Sequence, residues 1–97
     1  MDLSPAVSQA PALLTVRVSI EAAADNRALE VVAESPDFYR SSQIQIEGER
    51  GARVNVFQFR DLPTGLYQVT GVLVGVHGPR ATVVRLAKVV PSPGSAR

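Results

Sequence analysis

Leu14-Thr15-Val16-Arg17-Val18-Ser19-Ile20 alternates apolar and polar residues without a break. A period of two marks an extended strand with one face in a core and one in water, whereas a helix would repeat its apolar positions at three and four. Asp25-Asn26 then supplies a turn, because both side chains bond readily to nearby backbone. Beyond it the same period resumes, with Leu29, Val31 and Ala33 expected inward and Glu30 and Glu34 outward.

Ser35-Pro36-Asp37 interrupts the pattern, since proline has no N–H to donate and restricts the residue before it. A connection between two sheets is expected there. Ile44 and Ile46 alternate with Gln43, Gln45 and Glu47 in a third strand, with Phe38 upstream on the same parity. Glu47-Gly48-Glu49-Arg50-Gly51 reads as a hairpin loop from which a fourth strand, Arg53 to Arg60, returns. Val54 and Val56 fall on one parity of that strand and Phe57 and Phe59 on the other. Either a bulge near Val56 or a strand covered on both faces would reconcile them.

Leu66 to Val76 is the longest extended segment, and His77-Gly78-Pro79 closes a hairpin into the last strand, Arg80 to Val90. With that loop, Leu73 faces Thr82, Gly71 faces Val84 and Val69 faces Leu86. No segment has helical spacing. Short strands separated by turns predict an all-β chain, a two-sheet sandwich of about six or seven antiparallel strands. Residues 13–90 are the expected domain. Residues 1–12, with two prolines and no period, are expected to form a flexible arm, and residues 91–97 a flexible tail.

The 97 residues suit one core and no more. Ten basic and nine acidic side chains leave a net charge of +1, so no strong field marks a nucleic acid or membrane-surface partner. Every basic residue but Lys88 is Arg, scattered along the chain. With no cysteine, disulfides, thiolate catalysis and Cys-ligated zinc are excluded. The longest apolar run, Val72 to Val76, is broken by Gly75 and falls far short of the roughly 20 residues of a membrane helix. Met1-Asp-Leu-Ser-Pro has neither the basic nor the apolar region of a secretory signal. The expected compartment is the cytoplasm, or an extracytoplasmic one if a signal has been removed.

Phe59-Arg-Asp-Leu62-Pro-Thr-Gly65-Leu-Tyr67-Gln-Val69 carries the most specific signature. An apolar residue, a tight turn ending in Gly65 and Tyr67 two positions later suit a chain turning a corner between sheets, with the ring in the core and the hydroxyl on backbone near the turn. The stretch resembles the F-x-x-L-x-x-G-x-Y-x-V element of prealbumin-like modules, among them carboxypeptidase regulatory-like and Cna B-type domains, and less closely the matching turn of fibronectin type III domains. It departs from the common pattern in placing Pro63 directly after Leu62. The resemblance implies a non-catalytic spacer, stabiliser or adhesion unit of a kind often found outside the bacterial cytoplasm. It marks a fold rather than an activity.

No catalytic, cofactor-binding or metal-binding set is expected. His77, the sole histidine, sits in a turn with no nameable orienting partner. Glu30, Glu34, Glu47 and Glu49 fall on outer faces or in loops. Asp25-Asn26 and Glu47-Gly48-Glu49 offer oxygen ligands but match no calcium loop. No glycine-rich loop precedes a helix, so no phosphate cradle is expected.

With the pairing above, Tyr67, Val69, Leu73, Val84 and Leu86 point inward. The opposite face carries Val72, Val74, Val76, Ala81 and Val83, an apolar stripe of the kind that marks a contact surface when it is not covered by loops. The first functional expectation is a non-catalytic structural or protein-interaction module, immunoglobulin-like or prealbumin-like. It would use this face or an edge strand, with a protein partner or further copies of itself. The second is a carbohydrate or small-ligand module using Phe38, Tyr39 and Arg40 in a 38–42 loop.

Overall fold

A computed structural model describes residues 1–93. Eight strands form two packed sheets. In chain order they are β1 (Asp2–Ser4), β2 (Val7–Gln9), β3 (Ala12–Ser19), β4 (Asn26–Ser35), β5 (Phe38–Gln45), β6 (Val54–Leu62), β7 (Gly65–Gly75) and β8 (Gly78–Val90), with a 3-10 turn at Gly48–Arg50. The smaller sheet has the order β1-β3-β6 and the larger β2-β8-β7-β4-β5. All neighbours are antiparallel except β2 and β8, which are parallel.

The alternation in β3 and β4 has the expected result: Leu14, Val16, Val18, Leu29, Val31 and Ala33 are buried between the sheets. Phe57, Phe59 and Leu62 of β6 meet them from the smaller sheet, and Tyr67 and Val69 of β7 from the larger. The Tyr67 hydroxyl donates to the Pro63 carbonyl at 2.7 Å. Its ring meets the edge of Phe38 at 5.9 Å between centroids. Leu62 and Tyr67 are fully buried on either side of the turn into Gly65, so the chain crosses between sheets around an apolar plug whose one polar atom is satisfied.

The expected arm at residues 1–12 is instead two short strands. β1 pairs with β3, so that Leu3 lies opposite Val16. β2 pairs with β8, and Lys88 N–H donates to Ala6 O while Ala10 N–H donates to Val90 O. The chain changes sheets at Pro5 and again at Pro11, each after a cis peptide bond. Three-residue strands are too short to show a period, and their order comes from neighbours distant in sequence. Of the expected tail at 91–97, residues 94–97 lie outside the described residues.

Two connections exchange roles. Ser35 faces Phe38, so Ser35-Pro36-Asp37 is a hairpin turn within the larger sheet. Residues 47–51 carry the chain from β5 to β6, which lies in the other sheet. Pro36 sits between ladder positions, where its missing N–H costs no hydrogen bond. β6 needs neither a bulge at Val56 nor two covers: Asn55, Phe57 and Phe59 point inward and Val54 and Val56 outward. Asn55 holds an inner position because its side-chain amide donates to Ala52 O at 2.9 Å. The register shift in this pair falls between Ala12 and Leu14, opposite Asp61, which has φ 58°.

The far end is pinned by Asn26, fully buried. Its side chain donates to Glu21 O at 2.9 Å and accepts from Arg80. Arg80 also lies 3.5 Å from the Asp25 carboxylate, which accepts from Val76 N–H at 3.1 Å. These contacts tie the β3–β4 connection to the β7–β8 hairpin. Gly75 has no side chain because the Arg80 methylenes and Asp25 occupy the space: an added Cβ would lie 2.5 Å from Arg80 Cδ.

Asn26→Ala is expected to cost about 1–3 kcal/mol, read from urea unfolding, because it strands buried partners. Tyr67→Phe is expected to cost about 1 kcal/mol. Burial pushes the Tyr67 phenol above its ordinary value, outweighing the opposing effects of a Ser35 hydrogen bond and the Arg40 charge. The fold therefore favours the neutral phenol. That contribution is intact below a pH of about 10 and is lost as pH rises through the raised value. Tyr67→Phe should flatten the alkaline fall in stability.

Candidate interaction surface

In β7 and β8, Tyr67 pairs with Ala87, Val69 with Arg85, Gly71 with Val83 and Leu73 with Ala81. A register shift between Leu73 and Val74 gives a tighter turn than the expected loop, with Gly75 opposite Gly78 at φ 109°. The ladder is thus displaced by one residue from the sequence expectation. Side chains alternate, so one step turns the whole of β8 over. Val84 and Leu86, expected inward, lie on the outer face and are 45% and 62% exposed. Ala81 and Val83, expected in the outer stripe, lie on the inner parity of β8, which continues to buried Ala87 and Val89.

Val72 and Val74 remain outside, on the even parity of β7 opposite buried Tyr67 and Val69, and Val76 stands exposed in the turn that follows. Val72 pairs with Thr82, Thr70 with Val84 and Gln68 with Leu86. On the other side Val72 pairs with Glu30 and Thr70 with Val32. The outer face therefore runs from exposed Leu66 through Leu86 and Val84 to half-buried Val72, Val74 and Val32. A depression of about 340 Å³ lies between Leu66 and Leu86, bounded by Glu34, Ser35, Pro36 and Gln68. β5 completes the face with Tyr39, Ser41, Gln43 and Gln45, all uncharged. Leu66 and Leu86 belong to this face with Val84; Leu66 is marked in the sequence by sharing the parity of Val72, whereas the register that turns Val84 and Leu86 outward has no local signal.

Phe38, Tyr39 and Arg40 do not form a loop site. They open β5, and their side chains diverge. Phe38 is half-buried against Tyr67, and Arg40 covers its ring at 5.0 Å while donating to Arg60 O at 2.8 Å. Tyr39 alone faces outward, 65% exposed and opposite Glu34.

The smaller sheet leaves part of the larger one uncovered. A cavity of about 330 Å³ opens there, lined by Val18, Ile20, Leu29, Leu73, Ala81 and Val83, with Met1, Glu21 and Arg80 also on its wall. Met1 lies over Gly71, where an added Cβ would stand 2.9 Å from its sulfur. His77 is exposed in the β7–β8 turn. Among the described residues no three His, Cys, Asp or Glu side chains converge on a metal-sized space, and no helix is long and apolar enough to cross a membrane.

Tyr39→Ala is expected to change stability by less than about 0.5 kcal/mol, as for an isolated surface position. Phe38→Ala should lose about 1–3 kcal/mol through its contacts with Tyr67 and Arg40. Thermal unfolding of the two variants separates the roles.

Comparison with family models, curated proteins and solved structures gives no match to this chain.

Proposed function

We propose that the protein is a non-catalytic, immunoglobulin-like interaction module that docks another protein surface through the outer face of its larger sheet. One observation carries this reading: Leu66, Val84 and Leu86 stand exposed beside Val72 and Val74 on one continuous face. Contiguous apolar surface facing water is unfavourable, and covering it recovers roughly 25 cal/mol per Å². Among the described residues only Glu30, Glu34 and Lys88 bring charge to this face, and the neutral polar residues of β5 suit an interface rim. The strand orders β1-β3-β6 and β2-β8-β7-β4-β5 agree with the A-B-E and A′-G-F-C-C′ sheets of immunoglobulin-like sandwiches, which supports that side of the resemblance. The ligand-module reading has less support, because Phe38 and Arg40 are engaged within the fold.

A photo-crosslinking residue placed at Val84 and expressed in the native host is expected to give a discrete protein adduct. The adduct's mass distinguishes a second copy from another partner. The same residue at Gln58, on the outer face of the smaller sheet, should give none. Val72→Lys with Leu86→Lys should abolish the Val84 adduct. Equal crosslinking at both sites, or none at Val84, would contradict the reading.

A further inference from the structure

The larger sheet is open along most of β8. β2 occupies this edge only at Lys88, Val89 and Val90. Lys88 N–H and Val90 C=O point toward β2, and backbone groups alternate sides along a strand. Thr82, Val84 and Leu86 therefore aim their N–H and C=O groups along the same edge, where no strand receives them among the described residues. The Val84 carbonyl accepts a hydrogen bond from the guanidinium of its own neighbour, Arg85, at 3.0 Å. Such an edge is a template for an added strand.

Its charge selects the strand. β8 contains Arg80, Arg85 and Lys88 and no acidic residue. Arg80 is paired with Asp25, whereas neither Arg85 nor Lys88 has a carboxylate within ion-pair distance among the described residues. These two cations lie on opposite sides of the sheet, Arg85 on the parity of Ala87 and Lys88 on that of Leu86. Two copies joined β8 to β8 would set like charges against one another. Among the other edges, β5 brings Arg40, β6 brings Arg60 beside Asp61, and β1 carries a carboxylate, Asp2, on only three residues, too short to span residues 80–86.

We infer that the β8 edge at residues 80–86 binds an extended acidic segment of another polypeptide as an added strand. Backbone bonds at Thr82, Val84 and Leu86 hold the segment, and its carboxylates meet Arg85 and Lys88. The inference rests on the reading of the chain as an interaction module and adds the chemistry of a partner.

The test titrates purified protein with a labelled peptide of alternating valine and threonine carrying a glutamate at each end, beside a counterpart carrying lysines. The glutamate peptide is expected to bind, shift the amide resonances of residues 80–86 and weaken as salt rises. The lysine peptide should not bind. Val84→Pro removes an edge N–H that makes no bond to β7 and should weaken binding at least about tenfold. Arg85→Glu with Lys88→Glu, which leaves the backbone unchanged, should do the same and guards against misfolding of the proline variant. Equal affinity for both peptides, or shifts confined to Leu66 and Val72, would overturn the edge assignment and leave the face reading standing. Binding at the edge with no Val84 crosslink would do the reverse.

Discussion

Tyr67 is the side chain on which both sheets depend. It is fully buried, it meets Phe38 from the neighbouring hairpin, and its hydroxyl closes on Pro63 before the chain enters β7. Where β6 leaves the smaller sheet and β7 joins the larger, a buried phenol with a satisfied hydroxyl sets the angle of the crossing. Leu62 and Val69 then fall into the core on either side of the crossing. At the opposite end the pin is polar: Asn26, Arg80 and Asp25 join two connections that are distant in sequence. Between these ends the alternation of β3, β4, β6 and β7 fills most of the core, which Ile46 and, from β8, Ala87 and Val89 complete.

The mismatch of three strands against five gives the molecule its usable surfaces. The smaller sheet covers the middle of the larger one, so the first half of β8 extends past its cover. Two kinds of surface result. The outer face of β7 and β8 exposes valine and leucine to water, and the edge of β8 exposes backbone groups beside Arg85 and Lys88. Both follow from the length and register of one strand.

Side-chain parity in β3 and β4, the sandwich class and the Tyr67 corner were legible because each is written in local sequence: an unbroken period of two, or an apolar residue, glycine and tyrosine at fixed spacing. The register of the last hairpin was not. The choice between turning at Val76-His77 and at a longer loop depends on how Asp25 and Arg80 hold the turn, which involves residues about fifty positions apart. One step of register moved Val84 and Leu86 outward and Ala81 and Val83 inward, while Val72 and Val74 on the partner strand kept their place. Phe38-Tyr39-Arg40 likewise reads as a cluster in one dimension. Once Phe38 is a strand residue paired with Ser35, its neighbour must face the other way. The short strands β1 and β2 left no local trace, since their order comes from β3 and β8.

The outward placement of Val84 and Leu86 is what both proposed surfaces require. Through-space proton contacts between opposing α-carbons report it most directly, because non-hydrogen-bonded antiparallel pairs bring those carbons to about 4.5 Å. Strong Hα–Hα cross-peaks joining Thr70 to Val84 and Gln68 to Leu86 are the expected result. Cross-peaks joining Thr70 to Arg85 and Gln68 to Ala87 would instead put Val84 and Leu86 in the core and contradict the central claim.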